Sequence, residues 1–214
     1  MTLQLGVLVS GGGTNLQALL DSSHDGRLDA RIRLVISNRP EVQALERARK
    51  AGIPHLVVNH QKFASRQEFD SELVRALQEA GVQWVALAGF MRVLTPVFLD
   101  AFKDRVINIH PSLLPAFPGV DAQGQAFRAG VRVAGCTVHF VDNGVDTGPI
   151  LVQRAVPVFP DDSEQALRER ILEAEHEAFV EGLSLVAAGK IRLVETAGRG
   201  KRVFFDAQRD EENS

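Results

Sequence analysis

The sequence predicts an α/β fold in a single domain: a mostly parallel, twisted sheet with helices on both faces. Three observations carry that expectation. Apolar runs of strand length alternate with segments of helical periodicity along the chain, the pattern of a sheet joined by helical crossovers. The first apolar run ends in glycines and passes directly into a helical pattern. The 214 residues suffice for one substantial core, with no internal repeat, low-complexity linker or shift in composition to mark a second domain.

The elements follow in order. LQLGVLV, from Leu3 to Val9, is the first strand, and Leu16, Leu19 and Leu20 mark one stripe of the helix after it. IRLVIS (32–37) and HLVVN (55–59) are the next strands. SRQE, from Ser65 to Glu68, is a capping box that opens a helix with Phe69, Leu73 and Leu77 inward. VQWVALA (82–88), RVINI (105–109) and GCTVHFV (135–141) continue the sheet, and Pro149 holds back the start of a further strand. A longer helix begins near Ser163, places Leu167, Ile171, Ala174, Ala178 and Phe179 on one face, and stops at Gly189. Residues 1–200 are expected to form the domain, and the polar segment 201–214 a tail.

Composition narrows the function classes. Hydrophobic residues at 45% and charged residues at 24% are ordinary globular values, and no apolar run reaches bilayer length, so no membrane partner is expected. The N-terminus lacks the basic, apolar and small-residue regions of a secretory signal, which points to the cytoplasm. A net charge of −3 gives no general field for nucleic acid, so an anionic ligand must be held by local groups. Cys136 is the only cysteine, which excludes an internal disulfide and a thiolate metal cluster. The histidines at 24, 55, 60, 110, 139 and 176 show no metal-ligand spacing, so no metal is expected.

Three segments carry chemistry. In VLVSGGGTNLQALL a strand ends in glycines at a helix start, where outward N–H groups and the helix dipole suit an anion. Gly11 and Gly13 half match the dinucleotide fingerprint, but Leu16 takes the third glycine position and the P-loop lysine is absent. Thr14 and Asn15 fit a monophosphate cradle; the competing reading is a tight turn capped by Thr14. Arg66 offers a cation to the same phosphate, or else pairs with Asp70 one turn on. In VINIHPSLLPAFPG, Asn108 and His110 share one face of a strand end, where ligands of α/β sheets collect. A neutral amide donor beside an imidazole suits an oxygen that gains charge. In VHFVDNGVDTGPIL, turn chemistry explains most polar residues but not both Asp142 and Asp146, which leaves one as a candidate catalytic carboxylate.

SGGGTNLQAL, LAGFMRVL, NIHPSLLPAFPG and DTGPIL occur in the order and near the spacing found in folate-dependent formyltransferases, and with the glycine loop the chain resembles the phosphoribosylglycinamide formyltransferase family over nearly its whole length. That resemblance implies a Rossmann-like formyltransferase fold and formyl transfer from 10-formyltetrahydrofolate, a co-substrate, to glycinamide ribonucleotide in purine synthesis, without a metal. It implies Asn108, His110 and Asp146 as the catalytic residues. Gly13, Thr14, Asn15 and Arg66 would hold the substrate phosphate, and Glu175 the ribose or amide end. Met91, Arg92, Val93 and Leu94, with Asn108 and the backbone from Phe140 through Val141 and Asp142 to Asp146, would line the folate pocket. Small molecules are the expected partners of a monomer or homodimer.

Some positions depart from the family. Asp121 and Gln123 stand where many members show a histidine pair, Ala116 replaces a basic residue before Phe117, and Leu172 takes the place of a polar contact three residues before Glu175. A methionyl-tRNA formyltransferase would need a further C-terminal domain and a basic patch. A single-domain 10-formyltetrahydrofolate hydrolase is the alternative activity, and a non-catalytic nucleotide-binding module would not need the trio.

Overall fold

The computed structural model describes residues 2–198 and 200–206. The chain runs β1 (Leu3–Val9), α1 (Thr14–His24), β2 (Ala30–Ser37), α2 (Gln43–Lys50), β3 (His55–Val57), α3 (Arg66–Glu79), β4 (Trp84–Leu87), α4 (Pro96–Ala101), β5 (Val106–His110), α5 (Ala122–Arg128), β6 (Val133–Phe140), β7 (Ile150–Pro157), α6 (Glu164–Ala187), β8 (Ile191–Thr196) and β9 (Gly200–Phe205). Seven strands form one sheet in the order β3-β2-β1-β4-β5-β6-β7. The pairings from β3 through to β5 are parallel, whereas β6 and β7 join antiparallel. The expected α/β class, with a mostly parallel sheet between helical layers, is what the chain adopts.

Strands covered on both faces must be apolar on both faces, and the two core clusters divide accordingly. On one side α1, α2 and α6 deliver Leu16, Ala44, Ile171 and Phe179 against Val7, Ile107 and Ile109. On the other, α3 and α4 deliver Phe69, Leu73 and Phe98 against Leu8, Val85 and Val106. Phe69, Phe98 and Phe102 are almost fully buried, each stabilising the second layer by roughly 1.5–3 kcal/mol. Because side chains alternate along a strand, Asn108 and His110 project toward this second side.

The caps are those the sequence implies. Ser65 Oγ accepts from the Glu68 N–H, while Glu68 reaches back to the Ala64 N–H. Ser163 Oγ accepts from the Ala166 N–H at the start of α6, and Gly189 follows its end at φ 63°. The β1 connections diverge, one neighbour being β2 and the other β4, so a crevice opens beyond their carboxyl ends.

The sequence reading falls short in the small elements. Helices α4 and α5 are too short to show a helical period, and α2 buries only Ala44 and Ala48. The hairpin β8–β9 was not anticipated, and β9 takes up residues 201–205 of the expected tail; 207–214 lie outside the described residues. Among the described residues no helix is long and apolar enough to cross a membrane.

Candidate active site

The turn after β1 is built to leave backbone donors exposed. Gly13 is the residue before α1, at φ 72°, and no side chain caps the helix. A Cβ at Gly13 would lie 2.6 Å from Ala44 Cβ, so α2 packs directly on the turn. Gly11 has neither a positive φ nor any atom within 4 Å of an added Cβ, and Gly12 only Gln43 Oε1 at 3.9 Å. Neither backbone conformation nor packing requires glycine at 11 and 12; open space over bare N–H groups is what a bound anion needs. Thr14 is the first helical residue and caps nothing, contrary to the plain-turn reading.

Asn15 is buried and donates from Nδ2 to Glu175 Oε2 at 2.7 Å, joining α1 to α6, while its Oδ1 has no partner among the described residues. Burial pushes the Glu175 carboxyl from the ordinary 4.5 up to about 7, against the opposing pull of Asn15. Between those values the native state holds a proton that the unfolded chain releases, so the stability this group contributes below pH 4.5 is lost as the pH rises through 7. Thermal melts from pH 5 to 8 are therefore expected to fall more steeply for the wild type than for Glu175→Gln. Parallel curves would show that Glu175 does not titrate there.

At the end of β5 the sequence's other candidates come together. His110 is 5% exposed. Its Nε2–H donates to the Phe117 carbonyl at 2.9 Å, which turns Nδ1 toward Asp146 Oδ2, 3.4 Å away. Asp146 sits at φ 55°, in the left-handed region. Its Oδ2 also accepts from the Gly119 N–H at 2.7 Å. Asp142 behaves as a turn former, accepting from the Gly144 N–H and Thr147 Oγ1. Geometry thus separates the two aspartates that sequence left open.

Asn108 has a partner that the sequence reading missed. His139 lies directly across the β5–β6 ladder. Its Nδ1–H donates to the Phe140 carbonyl, and burial pushes its imidazole below the ordinary range. The neutral ring therefore presents Nε2 as an acceptor to Asn108 Nδ2, 3.1 Å away. One amide N–H is spent on this bond and the other remains for an incoming oxygen. The signal was the i, i+2 pair Thr137 and His139 in an apolar strand, both turned to the Asn108 side.

The segment Ala116–Asp121 covers this group. Phe117 and Asp121 take φ values of 53° and 57°, conformations that cost about 1–3 kcal/mol each for non-glycine residues. An open groove of 390 Å³ begins at Thr14 and runs along α1 and α6, but Asn108, His110 and Asp146 do not line it. The loop reaches the trio through the Phe117 carbonyl on His110 and the Gly119 N–H on Asp146.

The 91–94 segment divides. Met91 is 64% and Val93 48% exposed, Arg92 is half-buried, and Leu94 is core. Ser10 Oγ accepts from the Met91 N–H and donates to Asn38 Oδ1, tying this segment to the residue before the glycine turn. Phe140 points its ring into the core, so its backbone is what faces the site, while Val141 is half-buried and Asp142 exposed. Arg66 opens α3, in the layer opposite α1. The expected alternative, an Arg66–Asp70 pair, does not form: Asp70 is buried and accepts from the Thr95 N–H at 2.6 Å. Arg66 and Arg92 both act electrostatically on Asp70. Among the described residues no group of three or more His, Cys, Asp or Glu side chains is placed to hold a metal.

The formyl transferase family profile matches residues 3–183, the whole seven-stranded sheet together with most of α6. The chain belongs to the formyl transferase family. Among its relatives, the trifunctional purine biosynthetic protein adenosine-3 of Drosophila melanogaster is 53% identical over 188 residues, 87% of this chain. The chain spans only 14% of that protein's length. The phosphoribosylglycinamide formyltransferase of Bacillus subtilis (strain 168) is 41% identical over 79% of this chain and 87% of its own. Among solved formyl transferases, glycinamide ribonucleotide transformylase 1 from Symbiobacterium toebii superposes with a TM-score of 0.90 at 50% identity, covering 95% of this chain and 94% of that one.

Proposed function

We propose that this chain transfers the formyl group of 10-formyltetrahydrofolate to the amino group of glycinamide ribonucleotide, giving formylglycinamide ribonucleotide and tetrahydrofolate. The observation that carries this reading is the meeting of Asn108, His110 and Asp146 at the same carboxyl edge as an uncapped glycine turn. Relatives whose names state this chemistry, matched over most of their own length, support it.

The substrate amine resembles an α-amino group with a pKa of roughly 8, so a fair fraction is neutral at pH 7 and needs no strong base. As it adds to the formyl carbon, charge grows on the formyl oxygen. The free Asn108 Nδ2–H and, when the ring is protonated, the His110 Nδ1–H would receive it, which is where preorganised donors are most effective. Asp146 faces His110 Nδ1 and stabilises the ring when that nitrogen carries a proton. Through a water, its carboxylate passes the proton of the attacking nitrogen toward the departing N10 of the folate.

The backbone at Gly13, Thr14 and Asn15 would hold the substrate phosphate, with Glu175 behind it for the ribose or amide end. Met91 to Leu94, Asn108 and the backbone from Phe140 to Asp146 would hold the folate. Arg66 would add a cation for the substrate phosphate, and Arg92 would lie with the folate-holding residues. Both ligands are small molecules, and the chain would act on them in the cytoplasm.

The test is to supply the purified protein with 10-formyltetrahydrofolate, with and without glycinamide ribonucleotide, and to follow tetrahydrofolate release. Release that depends on the amine is expected. Equal release without it would make the protein a hydrolase and overturn the proposal.

A further inference from the structure

We infer that Arg168, on α6, is a positioning residue for formyl transfer: through Asp121 it latches the loop whose backbone orients His110 and Asp146. This rests on the function proposed above. Two backbone groups of the loop touch the reacting side chains, the Phe117 carbonyl on His110 Nε2 and the Gly119 N–H on Asp146 Oδ2. Ring direction and carboxylate direction therefore depend on where 117–119 sits.

The loop's far end is fixed from α6. Arg168 Nη2 donates to Asp121 Oδ1, its Nη1 donates to Gln123 Oε1 at 3.1 Å, and Glu164 takes the remaining side of the guanidinium. Arg128 grips the other Asp121 oxygen at 2.8 Å. A lone exposed ion pair would hold little; here one guanidinium is shared by three acceptors, two of them on the loop's first helical turn. The turn is shaped for this carboxylate. Gly124 leaves the room, since a Cβ there would lie 2.4 Å from Asp121 Oδ2. Gln125 Nε2 then donates to the Val120 carbonyl at 2.8 Å and to the Pro118 carbonyl at 3.3 Å, carrying the anchor to the residues that flank Gly119. Asp121 and Gln123, the departures from the family pattern, thereby acquire a shared role.

A double-mutant cycle on the full-length protein tests this. Arg168→Ala is expected to lower kcat about tenfold with KM for glycinamide ribonucleotide changed less than about twofold, the mark of lost positioning rather than lost binding. Asp121→Ala should do the same, and the double variant should lose less than the product of the two single losses, because both break the Arg168–Asp121 contact, while Asp121 also holds Arg128 and Arg168 also holds Gln123. Arg168→Lys, which keeps the charge, should recover part of the rate and serves if the alanine variant does not fold. A readout independent of substrate is the His110 Nε2–H in histidine-labelled protein by NMR; it should exchange with water about tenfold faster in Arg168→Ala. Additive losses, an unchanged kcat or unchanged exchange would each overturn the latch. Absence of transfer in the wild type would instead remove the functional proposal, and the exchange rates would still decide this one.

Discussion

Asp146→Asn is expected to fold normally and to lose turnover by a factor on the order of 10²–10⁴, the range of a lost acid–base group. Folding should survive for two reasons. Asparagine tolerates the left-handed conformation that Asp146 adopts at φ 55°, and its Oδ1 can still accept from the Gly119 N–H. What goes is the charge beside His110 Nδ1, 3.4 Å away. An amide neither stabilises a protonated ring nor relays a proton to the leaving nitrogen. The measurement is kcat alongside a thermal melt. Turnover within about threefold of wild type would remove Asp146 from the chemistry, because general acid–base groups contribute far more than that.

Asn108→Ala comes second, with an expected loss of about 10²–10³ in kcat, the usual effect of deleting one oxyanion donor. KM for glycinamide ribonucleotide should move little, since the interaction strengthens only as charge develops on the formyl oxygen, whereas KM for the folate, which Asn108 also helps to hold, should rise. The substitution also strips His139 Nε2 of its donor, so a modest loss of stability accompanies it. His139→Ala is the informative comparison, because it frees the amide without removing it. A smaller loss of kcat for His139→Ala than for Asn108→Ala is expected, and the reverse order would make the histidine the working donor.

Much of this site was legible in the sequence, and the reasons are local. Asn108 and His110 share a face because strands alternate, and their place at a strand end follows from the apolar run before them. The glycine turn suggested an anion site because a plain turn seldom needs three successive glycines, and neither backbone conformation nor packing requires glycine at 11 and 12. What stayed hidden depends on pairing across the sheet. His139 becomes the partner of Asn108 only through the antiparallel register of β5 with β6, which no single segment encodes. The choice between Asp142 and Asp146 likewise waits on the loop's fold, in which one caps a turn and the other meets His110.

The fold shows the same division. Long, strongly periodic elements such as α3 and α6 were readable with their caps. Helices α4 and α5, at six and seven residues, are too short to display a period. Within the 91–94 segment Leu94 turns into the core while Met91 and Val93 stay exposed, a division that apolar residues after a strand do not reveal in sequence.

The central claim is that the glycine turn and the Asn108–His110–Asp146 group serve one reaction from two sides of one edge. A crystal structure of the protein with glycinamide ribonucleotide and a folate analogue unable to transfer its formyl group tests it most directly. The expected result is phosphate on the N–H groups that follow Gly11, and the substrate amine facing a carbonyl held by Asn108 Nδ2 and His110 Nδ1. Phosphate bound elsewhere, or an amine directed away from those two atoms, would contradict it.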